Sequence, residues 1–125
     1  MIDSPPVVIT ADPGGTLIDY MARRKQYLDD GRRIEIRGVC ESACTVLIGL
    51  PDVCVTRNAS LGFHAPTQRI NGAVKPSGAK LFGDMMLEKY PEPVRKWIAD
   101  NGGLTERLIY LRGRSLLAMF KECSK

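Results

Sequence analysis

The order of elements in the first third of this chain leaves few folds open. Val7-Val8-Ile9-Thr10 is a β-branched run bounded by Pro5-Pro6 before it and Pro13-Gly14-Gly15 after it, which reads as a buried strand ending in a tight turn. Thr16 to Asp30 places Leu17, Ile18, Met21 and Leu28 on one face at helical spacing, and Gly31 is a good C-terminal stop. Arg33-Ile34-Glu35-Ile36-Arg37 alternates with period two, so it is a strand. Strand, helix and strand within about 30 residues make a βαβ unit, whose two strands belong to a parallel sheet.

The remainder extends that reading. Ala43 to Leu50 is apolar nearly all round, as in a central buried helix, and Pro51 ends it. Asp52 to Thr56 is a third strand, Arg57-Asn58 a turn, and Ser60 to His64 a further extended piece. Pro66 to Gly78 has no apolar period and reads as an exposed loop. Helices follow over Ala79 to Tyr90 and Pro93 to Asn101, then Leu104 to Leu111 beyond the Gly102-Gly103 break, and Arg114 to Lys121. The expectation is one α/β domain over residues 1–125: an α/β core at Val7–Pro66 with a small, mostly parallel sheet, a loop at Thr67–Gly78 and a helical part at Ala79–Lys125.

Composition narrows the function classes. Eighteen Lys and Arg against fourteen Asp and Glu leave a net charge of only +4, with basic clusters confined to Arg23-Arg24-Lys25 and Arg32-Arg33. Few aromatics accompany them, which favours a solvated helix face over a nucleic-acid surface. No apolar run approaches the roughly 20 residues that cross a bilayer. The N-terminus lacks a basic region followed by an apolar one. A leader removed ahead of Met1 would place the chain in the periplasm or outside the cell; otherwise it is cytoplasmic. The four cysteines, Cys40, Cys44, Cys54 and Cys123, allow three disulfide pairings. A Cys54–Cys123 bridge would tie down the C-terminus, and a Cys40–Cys44 bridge would shape the turn between them. Equally, some are small buried hydrophobes. Zinc is the weaker reading: Cys40, Cys44, Cys54 and His64 lack the paired knuckle spacing, and neither a metal nor a cofactor is expected.

The chemistry-bearing residues are few. Ser42 lies between a strand and the start of an apolar helix, where backbone N–H groups are unpaired. Acyl transfer by serine needs a base within hydrogen-bond reach and donors aimed at the developing oxyanion. His64 is the one histidine in the chain and therefore the one histidine base on offer. Taken in order, Pro13-Gly14-Gly15, Glu41-Ser42-Ala43 and His64-Ala65-Pro66 resemble the ClpP peptidase family with its ClpP/crotonase fold. The likeness is nearest to periplasmic ClpP-like proteins carrying Cys-x-Ser-Ala-Cys, here Cys40 to Cys44, and it spans roughly Val7 to Pro66.

That resemblance implies Ser42 as nucleophile, His64 as general base and then acid, and an oxyanion hole from the N–H groups of Gly15 and Ala43, with Gly14 and Gly15 alongside the substrate. It implies an acid after the long helix. Asp100 is the nearest candidate by position, with Asp84 and Glu106 behind it. It also implies a homo-oligomer acting on polypeptide, with no nucleic acid and no membrane span. Only six residues precede the first strand, so relative to the family the N-terminus is trimmed and the sheet short of its opening strands. Three other readings stand beside the hydrolase: an inactive ClpP-like module that binds peptide or assembles, a crotonase-type acyl-CoA enzyme, and a redox role for Cys40 and Cys44.

Overall fold

In the computed structural model, which describes residues 4–66, 69–70, 73–74 and 76–124, the βαβ opening is present. β1 (Val7–Asp12) and β2 (Ile34–Glu41) lie parallel, joined by α1 (Leu17–Asp30). The face that α1 turns inward differs from expectation. Ile18 and Leu28 are 69% and 46% exposed, whereas Tyr20 is buried and Leu17, Met21 and Tyr27 pack against the core. A tyrosine ring buries as much apolar surface as a leucine and can satisfy its hydroxyl at the rim, which apolar counting overlooks.

β2 is the spine of the sheet. β1 runs along one side of it, from Val7 opposite Ile34 to Asp12 opposite Cys40. The other side is shared between β3 (Val53–Val55), parallel to Ile34–Ile36, and β4 (Ser60–Phe63), parallel to Val39–Glu41. The register between β1 and β2 slips between Ile9 and Ala11, and Gly38 lies at the slip. A Cβ there would stand 1.9 Å from the Thr10 carbonyl oxygen, so only glycine allows this approach.

Beyond β4, two short strands, β5 (Arg69–Ile70) and β6 (Ala73–Val74), pair antiparallel, and α2 (Pro76–Glu88) and α3 (Glu92–Asp100) follow. Part of the expected Pro66–Gly78 loop thus carries regular structure, and residues 67, 68, 71, 72 and 75 of it lie outside the described residues. The helical expectation for Ala79–Lys125 fails twice. Within the Leu104–Leu111 stretch the chain forms β7 (Ile109–Arg112), antiparallel to β4, because Leu111 is fully buried while Tyr110 faces out. After α4 (Gly113–Met119), β8 (Lys121–Glu122) adds parallel to β3. The sheet order is β7-β4-β2-β3-β8, with β1 on the remaining side of β2.

The core lies between the sheet and the segments that cross it. Ile34, Ile36, Val55, Leu61 and Phe63 of the strands meet Val46, Leu47 and Ile48 from the segment after β2, and Met86, Tyr90, Val94 and Ile98 from the α2–α3 region. The Phe63 ring stands edge-on to Tyr90 with centroids 5.1 Å apart. Among the described residues no helix is long and apolar enough to cross a membrane.

Candidate active site

β2 ends at Glu41 and the chain turns at once into a helix over Ser42–Gly49. It is a 3-10 helix of eight residues, not an α-helix, and its residues Ala43 to Ile48 are all buried. Ser42 takes φ of 56°, the only positive value at a non-glycine residue among the described residues. Side chains resist this left-handed conformation, so the surroundings must hold it. Two contacts do so from within the fold. Thr45 Oγ1 donates to the Ser42 carbonyl at 2.6 Å, and the Tyr90 hydroxyl lies 2.6 Å from the same Oγ1. A threonine hydroxyl has one proton and a carbonyl only accepts, so Tyr90 donates to Thr45 and Thr45 to Ser42. Burial pushes the Tyr90 hydroxyl well above the usual phenol range, which keeps it a donor.

The second contact comes from the glycine turn. Gly14 takes φ of 91°, and a Cβ there would stand 2.8 Å from Ser42 Cβ and 3.0 Å from Ala43 N. Asp12 anchors this turn: its Oδ1 accepts from Gly14 N–H at 2.8 Å and from Tyr20 O–H at 2.7 Å. Burial first, and then the bond to Asp12, raises Tyr20 above the ordinary tyrosine range. Asp12 falls in the Asp12–Gly15 stretch expected to help complete the site but was given no role of its own, and the Thr45–Tyr90 pair was not expected to serve it. Asp-Pro-Gly is a recognisable turn signature in which the carboxylate binds backbone N–H groups, and it signals Asp12. No sequence signal marks Tyr90.

His64 follows β4 directly and is half-buried. Its Nδ1 lies 2.6 Å from the carbonyl oxygen of Ala65, whose own N–H donates to the Thr105 carbonyl at 2.6 Å. A carbonyl cannot donate, so Nδ1 carries the proton in this bond and Nε2 is left as the acceptor. Asp100 is not brought to His64. It ends α3, exposed, and its carboxylate makes no hydrogen bond or ion pair among the described residues. Asp84 pairs with Lys80 at 3.2 Å, and Glu106 is exposed. Glu41, adjacent to Ser42, accepts from the Tyr110 hydroxyl across Gly62, which raises Tyr110 above its ordinary range.

Ser42, Ala43, His64 and Gly15 line one cavity of about 670 Å³. Its remaining walls are largely apolar: Leu17 and Ile18 at the start of α1, Pro66, and Phe82 and Met86 of α2. Gly14 lies behind Ser42, its N–H already bonded to Asp12. The structure thus gathers four of the expected site residues around one space, places Gly14 as their support and leaves Asp100 elsewhere. The four cysteines are paired as Cys40–Cys44 and Cys54–Cys123, which removes them as a zinc set with His64. The basic clusters are engaged inside the chain: Arg23 stacks on Tyr20, Arg24 donates to the Val46 carbonyl, Lys25 pairs with Asp29, Arg32 donates to the Pro5 carbonyl and Arg33 pairs with Asp52. Compared with known proteins, the chain matches no family model and finds no significant match among curated proteins.

Proposed function

We propose that this protein is a serine hydrolase of the ClpP-like kind, acting on polypeptide. Ser42 Oγ attacks the substrate carbonyl while His64 Nε2 takes the hydroxyl proton. The N–H groups of Gly15 and Ala43 receive the oxyanion, and His64 returns the proton to the leaving amine. Water then repeats the sequence on the acyl-enzyme. The observation that carries the reading is the shared cavity: a serine at a strained turn, opening a helix, lines the same space as a histidine whose Nδ1 is engaged and whose Nε2 is the acceptor. Among the described residues no carboxylate bonds His64, and the Ala65 carbonyl takes its place in fixing the tautomer. It brings no negative charge to stabilise the imidazolium, so slow turnover is expected. An extended substrate would run beside Gly15 and lay side chains against Leu17, Phe82 and Met86.

The test is intact-mass analysis after reaction with a fluorophosphonate, on the wild type, Ser42→Ala and His64→Ala. One adduct on Ser42 is expected, absent in Ser42→Ala and slowed about 100-fold or more in His64→Ala. No adduct on folded protein would overturn the hydrolase reading in favour of a catalytically inactive peptide-binding module, which the absent carboxylate favours.

A further inference from the structure

The shorter disulfide lies where the proposed chemistry most needs a fixed turn. Cys40 stands two residues before Ser42 on β2, and Cys44 two residues after it in the 3-10 helix. The S–S bond therefore closes a small ring with Ser42 at its apex. Both cysteines are fully buried at 0%, while Ser42 itself stays open to the cavity. The bridge ties the end of the spine strand to the first turn of the helix, across the one junction among the described residues where a side chain is held at positive φ. Its sequence separation is 4, against 69 for Cys54–Cys123, so in the chain-entropy account it restrains the unfolded chain about half as much. Its distinguishing contribution is local.

We propose that the Cys40–Cys44 disulfide is a positioning device for Ser42, and that the reactivity of the serine depends on the bridge being oxidised. With the bridge intact, the strand end and the helix start cannot separate, and Ser42 has no room to relax to negative φ. A dithiol reductant breaks the S–S bond, giving two thiols and the cyclic disulfide of the reductant. Two electrons and two protons pass to the protein sulfurs. The Gly14 and Thr45 contacts remain, but without the ring they no longer suffice to hold the turn, and Oγ loses its fixed place in the cavity it shares with His64. Burial of both sulfurs confines the exchange to moments when the turn opens. The chain would then be active in oxidising compartments and silent in thiol-reducing ones. The rate consequence rests on the hydrolase reading; the conformational one does not.

Two double variants separate the roles: Cys40→Ala with Cys44→Ala, and Cys54→Ala with Cys123→Ala. Three quantities are read on each: the saturating rate and the affinity of fluorophosphonate labelling, the thermal midpoint, and the sign of φ at Ser42 from backbone NMR. The Cys40/Cys44 variant is expected to melt about 5–10 °C below the wild type and lose on the order of 100-fold in the saturating rate, with affinity little changed and Ser42 at negative φ. The Cys54/Cys123 variant should melt much lower and label within about three-fold of the wild type. If the Cys40/Cys44 variant fails to fold, the same readings follow reduction and reoxidation of the Cys54/Cys123 variant, whose only bridge is then Cys40–Cys44. Reoxidation should restore the rate. Labelling unchanged on loss of the bridge, or Ser42 still at positive φ, overturns the proposal. A wild type that never labels sinks the hydrolase reading, and the NMR measurement then decides the positioning role alone.

Discussion

A methyl group added at position 14 would stand 2.8 Å from both the Glu41 carbonyl oxygen and Ser42 Cβ, at a backbone φ of 91°. Gly102 has a similar φ of 96° but nothing within 4 Å of where its Cβ would be. The two positions therefore separate backbone strain from contact with the serine turn. Gly102→Ala should cost about 1 kcal/mol in urea unfolding and leave Ser42 labelling unchanged. Gly14→Ala should cost about 1–3 kcal/mol more and slow labelling, because the methyl pushes on the turn itself. Equal costs and equal labelling would show that Gly14 does not support Ser42. At this scale the gathering of Ser42, His64, Gly15 and Ala43 around one cavity was legible in the sequence, since each is marked by residue type and place. The group that meets His64 Nδ1 was not. Asp100, Asp84 and Glu106 were sought because a carboxylate is a side chain, whereas the group at His64 Nδ1 is the main-chain carbonyl of Ala65, which every residue carries. Asp12 and Tyr90 escaped for a related reason: they act on backbone atoms of the turn, directly or through Thr45.

Elements were legible in proportion to how far local pattern decided them. β1, α1 and β2 each carry their own period, and their pairing follows from chain order. β7 lies in the apolar run Leu108 to Leu111, too short to separate strand from helix, and it is a strand because β4 has an edge to fill. β8 has only two residues, and its pairing makes it a strand. Polar contacts fasten it: Asp52, just before β3, accepts from Lys121 at 2.6 Å and from Arg33 at 3.2 Å. The Lys121 bond above all, joined by Arg33 and opposed by desolvation, holds the Asp52 carboxyl below its ordinary range. A carboxyl depressed in the folded state contributes stability above its unfolded pKa and loses it as pH falls through the folded value. Both pairs are partly exposed, with Asp52 at 39% and its partners at 49% and 59%, so solvent screening limits the effect. Asp52→Asn should lose at most about 1 kcal/mol of unfolding free energy near neutral pH. The gap to the wild type should close as pH falls through the depressed value of the folded Asp52 carboxyl, below the ordinary carboxylate range. A gap that persists in acid would show that the effect of the substitution is not the charge of Asp52.

The whole molecule is closed by its last segment. From Ile109 to Glu122 the chain supplies β7 to one end of the sheet, crosses in α4, and supplies β8 to the other end. A sheet of six strands, with β2 as its spine, thus depends on a stretch whose own pairings are four residues and two residues long. Cys123 N–H donates to the Val55 carbonyl at 2.8 Å, and the Cys54–Cys123 bridge locks β8 in place. From the sequence this bridge was one of three possible pairings, because connectivity is a property of the folded chain. With a separation of 69 residues, the chain-entropy account assigns the bridge about 4 kcal/mol of stability. For a chain of 125 residues that corresponds to a fall of more than about 10 °C in the melting midpoint when both cysteines become alanine. Hydrogen exchange should then show β8 and the neighbouring β3 amides losing protection first, while β1 and the first turns of α1 keep theirs. Because the bridge is remote from Ser42 in the fold, that loss belongs to the sheet and not to the serine turn. A midpoint within about 2 °C of the wild type would mean that β7 and α4 hold the segment without it, and that the sheet is closed at one end only.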